Sequence, residues 1–230
     1  MYNLLAVINQ NQKKILLFGS NSSICRDLIP KLLDHNGYTN LEIHCFHRKK
    51  KIGRTIKNDR LFYHFLDFKT NLNTVHFINL FSNWKLAIFF YGDFGPIDQF
   101  KNINHNVWKK SFDANFFAVT KIINSLLNVK NASKSKSIIT FSGSGSNGVA
   151  DNYSAYTIAK IALIKFSELI DSENKNIKIT TVGPGWYKSK LHNKTLRSKL
   201  KSGKNYFKTK RSLKITNNEI ISMKFFKFII

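Results

Sequence analysis

Residues Lys14–Gly19 read KILLFG, a run of large apolar side chains that ends at a glycine. A short apolar run followed by Gly and small polar residues is typical of a strand that is buried on both faces and enters a turn. Leu41–Phe46 indicates a second strand, so this part of the chain predicts a βαβ unit. The helix between the strands ends at Asn36-Gly37 and is indicated by apolar residues at helical spacing, Ile24, Leu28, Ile29, Leu32 and Leu33.

Apolar runs continue to alternate with helical stretches along the rest of the chain. The further predicted strands are Leu61–Leu66, Leu86–Tyr91, Ser137–Phe141 and Ile177–Val182. This alternation predicts one α/β domain over residues 1–230, with a doubly wound parallel sheet that carries helices on both faces. The two longest helical stretches, 107–129 and 153–170, have wide apolar faces, which favours a homodimer or homotetramer. The basic segment 197–214 is predicted to be mobile.

Composition limits the classes of function. The chain has 230 residues, 43% of them hydrophobic, and a net charge of +24 from 37 Lys and Arg against 13 acids. Such a charge makes nucleic acid a candidate partner, but it is spread along the chain, which favours a biased composition instead. No apolar run approaches the roughly 20 residues of a membrane span, and the seven histidines show no metal-ligand grouping. Two cysteines, Cys25 and Cys45, in apolar stretches favour a reducing, cytoplasmic location.

Small polar residues occupy the turn after the first strand, where Gly19–Cys25 reads GSNSSIC. Free backbone N–H groups and the helix dipole at such a turn can hold a phosphate. Turns of this kind also occur in α/β proteins that bind no nucleotide, so this segment alone leaves both interpretations open.

Tyr156 and Lys160 stand four residues apart on a predicted helix, and Ser142 ends the strand before it. A separation of four places the two side chains on one face, about 6 Å apart along the axis. A phenol with a pKa of about 10 exchanges protons poorly at neutral pH, but a neighbouring ammonium lowers that pKa by stabilising the phenolate. The pair could therefore act as a general acid or base. The alternative is a Tyr and a Lys that merely cover the surface.

Four motifs together resemble the short-chain dehydrogenase/reductase family, and they occur in the family's order over nearly the whole chain. Tyr153–Lys160 resembles its Tyr-x-x-x-Lys helix, and Asn115 in Asp113–Phe116 resembles its catalytic Asn. Leu66-Asp67 resembles the site of the Asp that contacts adenine, and Gly183–Ser189 resembles the Pro-Gly-x-x-x-Thr segment beside the nicotinamide, with Ser in place of Thr.

The resemblance implies an NAD(P)-dependent oxidoreductase that transfers hydride between the nicotinamide and a small carbonyl compound or secondary alcohol. Tyr156 would exchange a proton with the substrate oxygen, and Lys160 would lower the pKa of Tyr156 and bind the nicotinamide ribose. Asn115 would hold a water that links Lys160 to solvent. Ser142 would donate a hydrogen bond to the carbonyl oxygen.

The choice of serine needs care, because the family places it thirteen residues before the Tyr, where this chain has Gly143. Ser142 and Ser144 flank that position. The order Ser-Gly-Ser-Gly over Ser142–Gly145 resembles the family's Ser-Gly-Gly-Gly form, in which the first serine acts, and this favours Ser142. A Ser/Gly turn with no catalytic hydroxyl is the alternative.

The cofactor site departs from the family pattern. Gly19 matches the first glycine of the Gly-x-x-x-Gly-x-Gly turn, whereas Ser23 and Cys25 replace the other two, and Phe89–Gly92 stands where the family has Asn-Asn-Ala-Gly. These changes leave a catalytically weak or inactive nucleotide-binding protein that uses the same fold for interaction as the alternative function. Strand core is the alternative for Phe89. The predicted cofactor contacts are Gly19, Asn21, Ser22, Ser23, Ile24, Arg48, Asp67, Phe89, Gly92, Tyr156, Lys160, Pro184, Gly185 and Ser189.

The end of the second strand bears on the type of cofactor. His44–Lys50 reads HCFHRKK, with bases and no acid, and Arg48 suits the 2′-phosphate of NADP where an acid would suit NAD. NADP is therefore favoured, with a solvated basic loop as the alternative. The sequence ends at Ile230 without a segment for the family's last strand, so we expect that strand to be missing from the sheet.

Overall fold

Six parallel strands form one sheet in the computed structural model, which describes residues 13–48, 55–67, 77–129, 135–143, 145–184, 194–195 and 198. The strands are β1 Lys13–Phe18, β2 Leu41–His47, β3 Leu61–Phe65, β4 Trp84–Phe89, β5 Lys136–Phe141 and β6 Ile177–Val182. They lie in the order β3-β2-β1-β4-β5-β6, and every neighbouring pair is parallel. This is the doubly wound order in which a crevice opens between β1 and β4. The predicted fold class is confirmed.

Helices lie in the connections from β1 to β2, from β3 to β4, from β4 to β5 and from β5 to β6. They are α1 Ser23–Asp34, the single turn α2 Ile78–Phe81, α3 His105–Phe112, α4 Ala118–Asn128 and α5 Ser154–Glu173. A turn of π-helix, Asp113–Phe117, joins α3 to α4, so the helix predicted at 107–129 contains an irregular turn in its middle. Short 3₁₀ turns occupy Asn36–Tyr38 and Phe100–Asn102.

Side chains of β1 alternate between two apolar cores, as expected of a strand covered on both faces. Ile15 and Leu17 belong to the core that contains α1, whereas Leu16 and Phe18 belong to the core that contains residues of α4 and α5. Helices therefore cover both faces of the sheet, as predicted. This arrangement leaves the carboxyl ends of the strands as the edge at which polar residues can gather.

Several sequence expectations lie outside the described residues. The basic segment 197–214 is described only at residue 198, and the missing last strand concerns a part of the chain that the structure does not describe. In the described part of the chain, no helix has both the length and the apolar character needed to cross a bilayer.

A chain of polar groups runs across β2 and β3, with Glu42 and His44 buried and His64 half-buried. His44 Nδ1 lies 3.0 Å from His64 Nε2, and His44 Nε2 lies 3.1 Å from the carboxylate of Glu42. Neutral imidazoles satisfy this chain if His64 donates to His44 and His44 donates to Glu42. The pKa of both histidines is lowered to about 3, mainly by burial and to a smaller extent by nearby charges, among them the ammonium of Lys14. The folded protein thus holds both imidazoles neutral.

We expect this histidine pair to make the protein less stable in mild acid. Both histidines titrate near 6.5 when unfolded and near 3 when folded, so below pH 6.5 only the unfolded chain takes up these protons. Their contribution is complete above pH 6.5 and is lost as the pH falls from there toward 3. Each histidine adds a slope of up to about 1.4 kcal/mol per pH unit to the free energy of unfolding.

Urea unfolding at a series of pH values between 7.5 and 5 measures this slope. His64→Phe keeps an aromatic ring in the stack with Phe46 and should reduce the slope, whereas His105→Gln, at an exposed position, should leave it unchanged. Equal slopes in the wild type and His64→Phe would show that the buried pair is not responsible.

Candidate active site

The turn after β1 has the backbone that a phosphate-binding turn requires. Gly19 has a φ of +82°, and a Cβ at this position would lie 2.8 Å from the backbone nitrogen of Tyr91. Its own N–H and that of Ser20 donate to the carbonyl of Phe46 at 2.9 and 3.0 Å. Only glycine fits this position, because both the positive φ and the close approach of β4 exclude a side chain.

Donors of the same turn are available to an anion. Ser22 caps α1 and accepts a hydrogen bond from the N–H of Cys25 at 3.2 Å, whereas the amides of Ser23 and Ile24 lie in the first turn and have no acceptor within the helix. The side-chain nitrogen of Asn21 is buried and has no hydrogen-bond partner among the described residues. A nucleotide phosphate would supply the missing acceptor, so these residues fit the pyrophosphate of a dinucleotide.

Cys25 has a packing function at the place of the family's third glycine. Its side chain is fully buried in the core beneath α1, and burial raises the pKa of its thiol well above the usual value. The small side chain therefore spaces α1 from the sheet without reaching the anion-binding turn.

Asn115 lies in the turn of π-helix and is completely buried. Its side-chain nitrogen donates to the carbonyls of Asp93 and Ser111, both at 2.8 Å, and its oxygen accepts from the N–H of Asp93 at 2.9 Å. One amide thus binds both backbone groups of Asp93. These bonds fix the chain that follows β4 against the π turn, and π turns often mark functional sites.

Tyr156 lies near the start of α5 with its ring against the backbone of Gly143. A Cβ on Gly143 would lie 2.5 Å from Cε1 and 2.9 Å from the hydroxyl of Tyr156, so the ring occupies the space of that missing side chain. The ring of Phe94 packs edge-on against Tyr156 at 4.8 Å between centroids. Gly143 and Phe94 therefore determine where the phenol lies.

Lys160 is 2% exposed and lies one turn further along α5. Its ammonium is 5.8 Å from the ring centroid of Tyr156 and donates to the carbonyl of Tyr91 at 3.2 Å. Burial lowers the pKa of Lys160 to about 8. The structure thus brings Tyr156 and Lys160 together beside the crevice between β1 and β4, as the sequence predicted.

Ser142 is close to this pair but faces β6. Its hydroxyl donates to the carbonyl of Val182 at 3.4 Å, and a Cβ on Gly183 would also lie 3.4 Å from it. Gly143, which stands at the family's serine position, is the neighbour of Ser142 that contacts Tyr156. The catalytic role of Ser142 stays a prediction, and Ser144 lies outside the described residues.

The other predicted cofactor residues are distributed around the carboxyl edge of the sheet. Arg48 follows β2, Asp67 follows β3 and Gly92 follows β4. Phe89 instead lies in the core, 2% exposed and stacked on Phe18 at 4.6 Å, as its alternative interpretation as strand core predicted. Pro184 is described and follows β6, whereas Gly185 and Ser189 lie outside the described residues.

Sequence reasoning missed two contacts made by the chain after β6. Lys194 forms an ion pair with the buried carboxylate of Asp93, and Thr195 shares a 2.6 Å hydrogen bond with the hydroxyl of Tyr153. Both contacts bring this part of the chain to the edge of the site. The sequence could have pointed to Asp93 only through its position directly after Gly92. Its partner Lys194 is far away along the chain, so no local pattern links the two.

Comparisons with known proteins agree with this geometry. The family model described as short chain dehydrogenase matches residues 94–200, a range that holds Asn115, Tyr156 and Lys160. A curated relative, the "Uncharacterized oxidoreductase YIR035C" of Saccharomyces cerevisiae, is 29% identical over 91 residues, which cover 39% of this chain. The match spans 35% of the yeast protein, about a third of its length.

Solved structures share the fold over most of the chain. The crystal structure of the yeast YIR035C short-chain dehydrogenase/reductase superposes with a TM-score of 0.74 and 19% identity, covering 90% of this chain and 86% of that one. The KRED1-Pglu enzyme superposes with a TM-score of 0.76 and 15% identity, covering 94% of this chain and 93% of that one. A short-chain dehydrogenase from Shigella flexneri, solved in complex with NADP, gives 0.65 at 16% identity, with 84% of each chain covered.

The doubly wound parallel sheet is of the Rossmann type, and Tyr156 and Lys160 lie together at its carboxyl edge. Over residues 94–200 the chain is similar to the short chain dehydrogenase family, and over most of its length it has the fold of solved short-chain dehydrogenases.

We expect the contact between Gly143 and Tyr156 to be sensitive to a single methyl group. Gly143→Ala should lower the free energy of unfolding by about 1 to 3 kcal/mol, because the new Cβ overlaps the phenol ring. Gly148→Ala is the matched control, since nothing lies within 4 Å of a Cβ there, and it should change stability by less than about 0.5 kcal/mol.

A double-mutant cycle in chemical denaturation isolates the contact. In a Tyr156→Ala background, Gly143→Ala should cost much less than in the wild type, because the ring is gone. An equal cost in both backgrounds would mean that Gly143 is required for another reason.

Proposed function

We propose that the protein is an NADP-dependent reductase or dehydrogenase that interconverts a small carbonyl compound and a secondary alcohol, with Tyr156 as the acid/base. The observation that carries the proposal is the pairing of Tyr156 with the buried ammonium of Lys160, 5.8 Å from its ring, beside the crevice. When bound, the cofactor supplies or accepts the hydride.

Tyr156 moves the proton in this proposal. In the direction of reduction its hydroxyl donates to the substrate oxygen as the hydride reaches the carbonyl carbon, which leaves a phenolate. The ammonium of Lys160 stabilises that phenolate, and its low exposure strengthens the interaction because little water screens it. Gly143 and Phe94 hold the ring in place, so little reorientation precedes the transfer.

Asn115 and Ser142 have supporting roles in this proposal. The side chain of Asn115 is used by Asp93 and Ser111, so a water that links Lys160 to solvent would bind its backbone carbonyl in the turn of π-helix. Ser142 would turn its hydroxyl from Val182 toward the substrate oxygen. A 3.4 Å bond is weak enough for this change of partner.

The residues of the turn and of the strand ends would bind the cofactor. Gly19, Asn21 and the amides of Ser23 and Ile24 would bind the pyrophosphate, and Lys160 the nicotinamide ribose. Arg48 and Asp67 would lie at the adenosine end, where the guanidinium favours the 2′-phosphate of NADP over the free hydroxyl of NAD.

The proposal extends to domain organisation, oligomeric state and cellular location. We propose one nucleotide-binding domain and a homodimer or homotetramer that buries the helices at 107–129 and 153–170. Large apolar side chains exposed on these helices support it, namely Val107, Phe117, Ile158, Ile161 and Leu169. The two described cysteines are free and buried, which suits the cytoplasm.

Tyr156→Phe should remove turnover and preserve cofactor binding. Loss of the transferable proton is expected to lower the rate by about 10² to 10⁴-fold, while the dissociation constant of NADPH stays within about twofold. The measurements are NADPH oxidation with a panel of aldehydes and ketones, and fluorescence titration with NADPH. Tyr38→Phe, a buried tyrosine in a 3₁₀ turn remote from the site, is the control and should keep full activity. Undiminished activity of Tyr156→Phe would refute its role.

Arg48→Ala tests the cofactor type. A lost charge-assisted contact to the 2′-phosphate should weaken NADPH binding by about tenfold or more and leave NADH binding nearly unchanged. Lys57→Ala removes an exposed charge from the following loop and should alter neither dissociation constant. If Arg48→Ala weakens both cofactors equally, the preference for NADP has another origin.

A further inference from the structure

Tyr91 lies where the two halves of the proposed cofactor site meet. It follows Phe90 at the carboxyl end of β4, and its backbone nitrogen and Cα would lie only 2.8 and 3.0 Å from a Cβ on Gly19. On the other side, its carbonyl accepts the hydrogen bond of Lys160 at 3.2 Å. Its backbone therefore contacts both the anion-binding turn and the active-site lysine.

The side chain of Tyr91 is half-buried at the carboxyl end of the sheet. It packs against the core that contains Phe18, Phe46 and Leu66, and its hydroxyl oxygen is buried. Burial raises the pKa of Tyr91, Asp93 and Asp67 raise it further, and Arg48 opposes the rise. Arg48 follows β2 and Asp67 follows β3, so two of the charges that act on the phenol lie at the carboxyl ends of the strands beyond β1.

A dinucleotide in this fold needs the same space. Its pyrophosphate lies on the turn after β1, and its adenosine ribose lies at the end of β2, where an acid or a base selects between NAD and NADP. Arg48 occupies that selecting position and is also one of the groups that act on the hydroxyl of Tyr91. The ring of Tyr91 and the adenosine ribose therefore compete for one part of the crevice.

We propose that Tyr91 occupies the adenosine part of the crevice in the free protein and that its ring must move aside before a dinucleotide binds. Tyr91 is then the residue that sets cofactor affinity, because only the fraction of molecules with the ring displaced can bind. NADPH compensates for the displacement by giving Arg48 a phosphate partner in place of the phenol, which NADH cannot do. This inference rests on the proposed function and extends it to the control of cofactor binding.

The test separates the adenosine half of the cofactor from the nicotinamide half. The full chain is titrated with NADPH and with reduced nicotinamide mononucleotide, which lacks the adenosine. Tyr91→Ala introduces the residue that the family motif has at this position, and it should lower the dissociation constant of NADPH by about tenfold or more. Binding of the mononucleotide should stay unchanged, because that half does not reach the ring.

Two further variants keep the result interpretable. Tyr91→Trp enlarges the ring and should weaken NADPH binding by about tenfold without affecting the mononucleotide, so it tests the same idea in the opposite direction. Phe100→Ala, at an exposed aromatic residue that is 61% accessible, is the control for loss of a ring elsewhere and should change neither constant.

Each outcome bears on the inference. The inference is supported if Tyr91→Ala binds NADPH more tightly than the wild type and binds the mononucleotide equally well. It is also supported if only the variant binds NADPH measurably. An unchanged or weaker NADPH affinity in Tyr91→Ala, or an equal change for both ligands, overturns the inference and leaves the proposed function intact. If neither the wild type nor any variant binds NADPH, both the inference on Tyr91 and the proposed function are overturned.

Discussion

The amide of Asn115 binds both backbone groups of Asp93, and much of the site depends on that pair of bonds. A buried amide with both its oxygen and its nitrogen satisfied is costly to displace, since each lost partner leaves a desolvated polar group. Through Asp93 the constraint reaches Lys194, which belongs to the chain after β6, and through the next residue it reaches Phe94 and hence the ring of Tyr156. A π turn in the helix thereby helps to position a side chain on a different helix.

The second constraint is the buried charge of Lys160. An ammonium that is 2% exposed is held by the carbonyl of Tyr91 and lies beside the ring of Tyr156. Burial disfavours the charged form, which explains the lowered pKa of about 8, and it also strengthens the field that the charge exerts on its neighbours. Because Tyr91 also contacts Gly19, one residue of β4's carboxyl end connects the anion-binding turn with the acid/base pair.

The βαβ unit, the six strands and the pairing of Tyr156 with Lys160 could all be predicted because each rests on local spacing. Periods of two and 3.6 residues indicate the elements, and a separation of four places two side chains on one helix face. Gly143 was visible only as a departure from the family's serine position, and its contact with Tyr156 depends on how α5 packs against the end of β5. The ion pair between Asp93 and Lys194 joins residues 101 positions apart, so no local pattern could indicate it.

The sequence by itself determined the order of strands and helices and the identity of the residues that can carry charge or protons, because these follow from side-chain chemistry and short-range periodicity. The tertiary structure decided which of them meet. Phe89 is buried inside the core, while Tyr91, two residues later, packs at the edge of the same core beside the turn at Gly19. Such placement depends on strand order and on contacts between distant segments. Burial then determines how strongly a charge acts on its neighbours, because water screens a buried charge less.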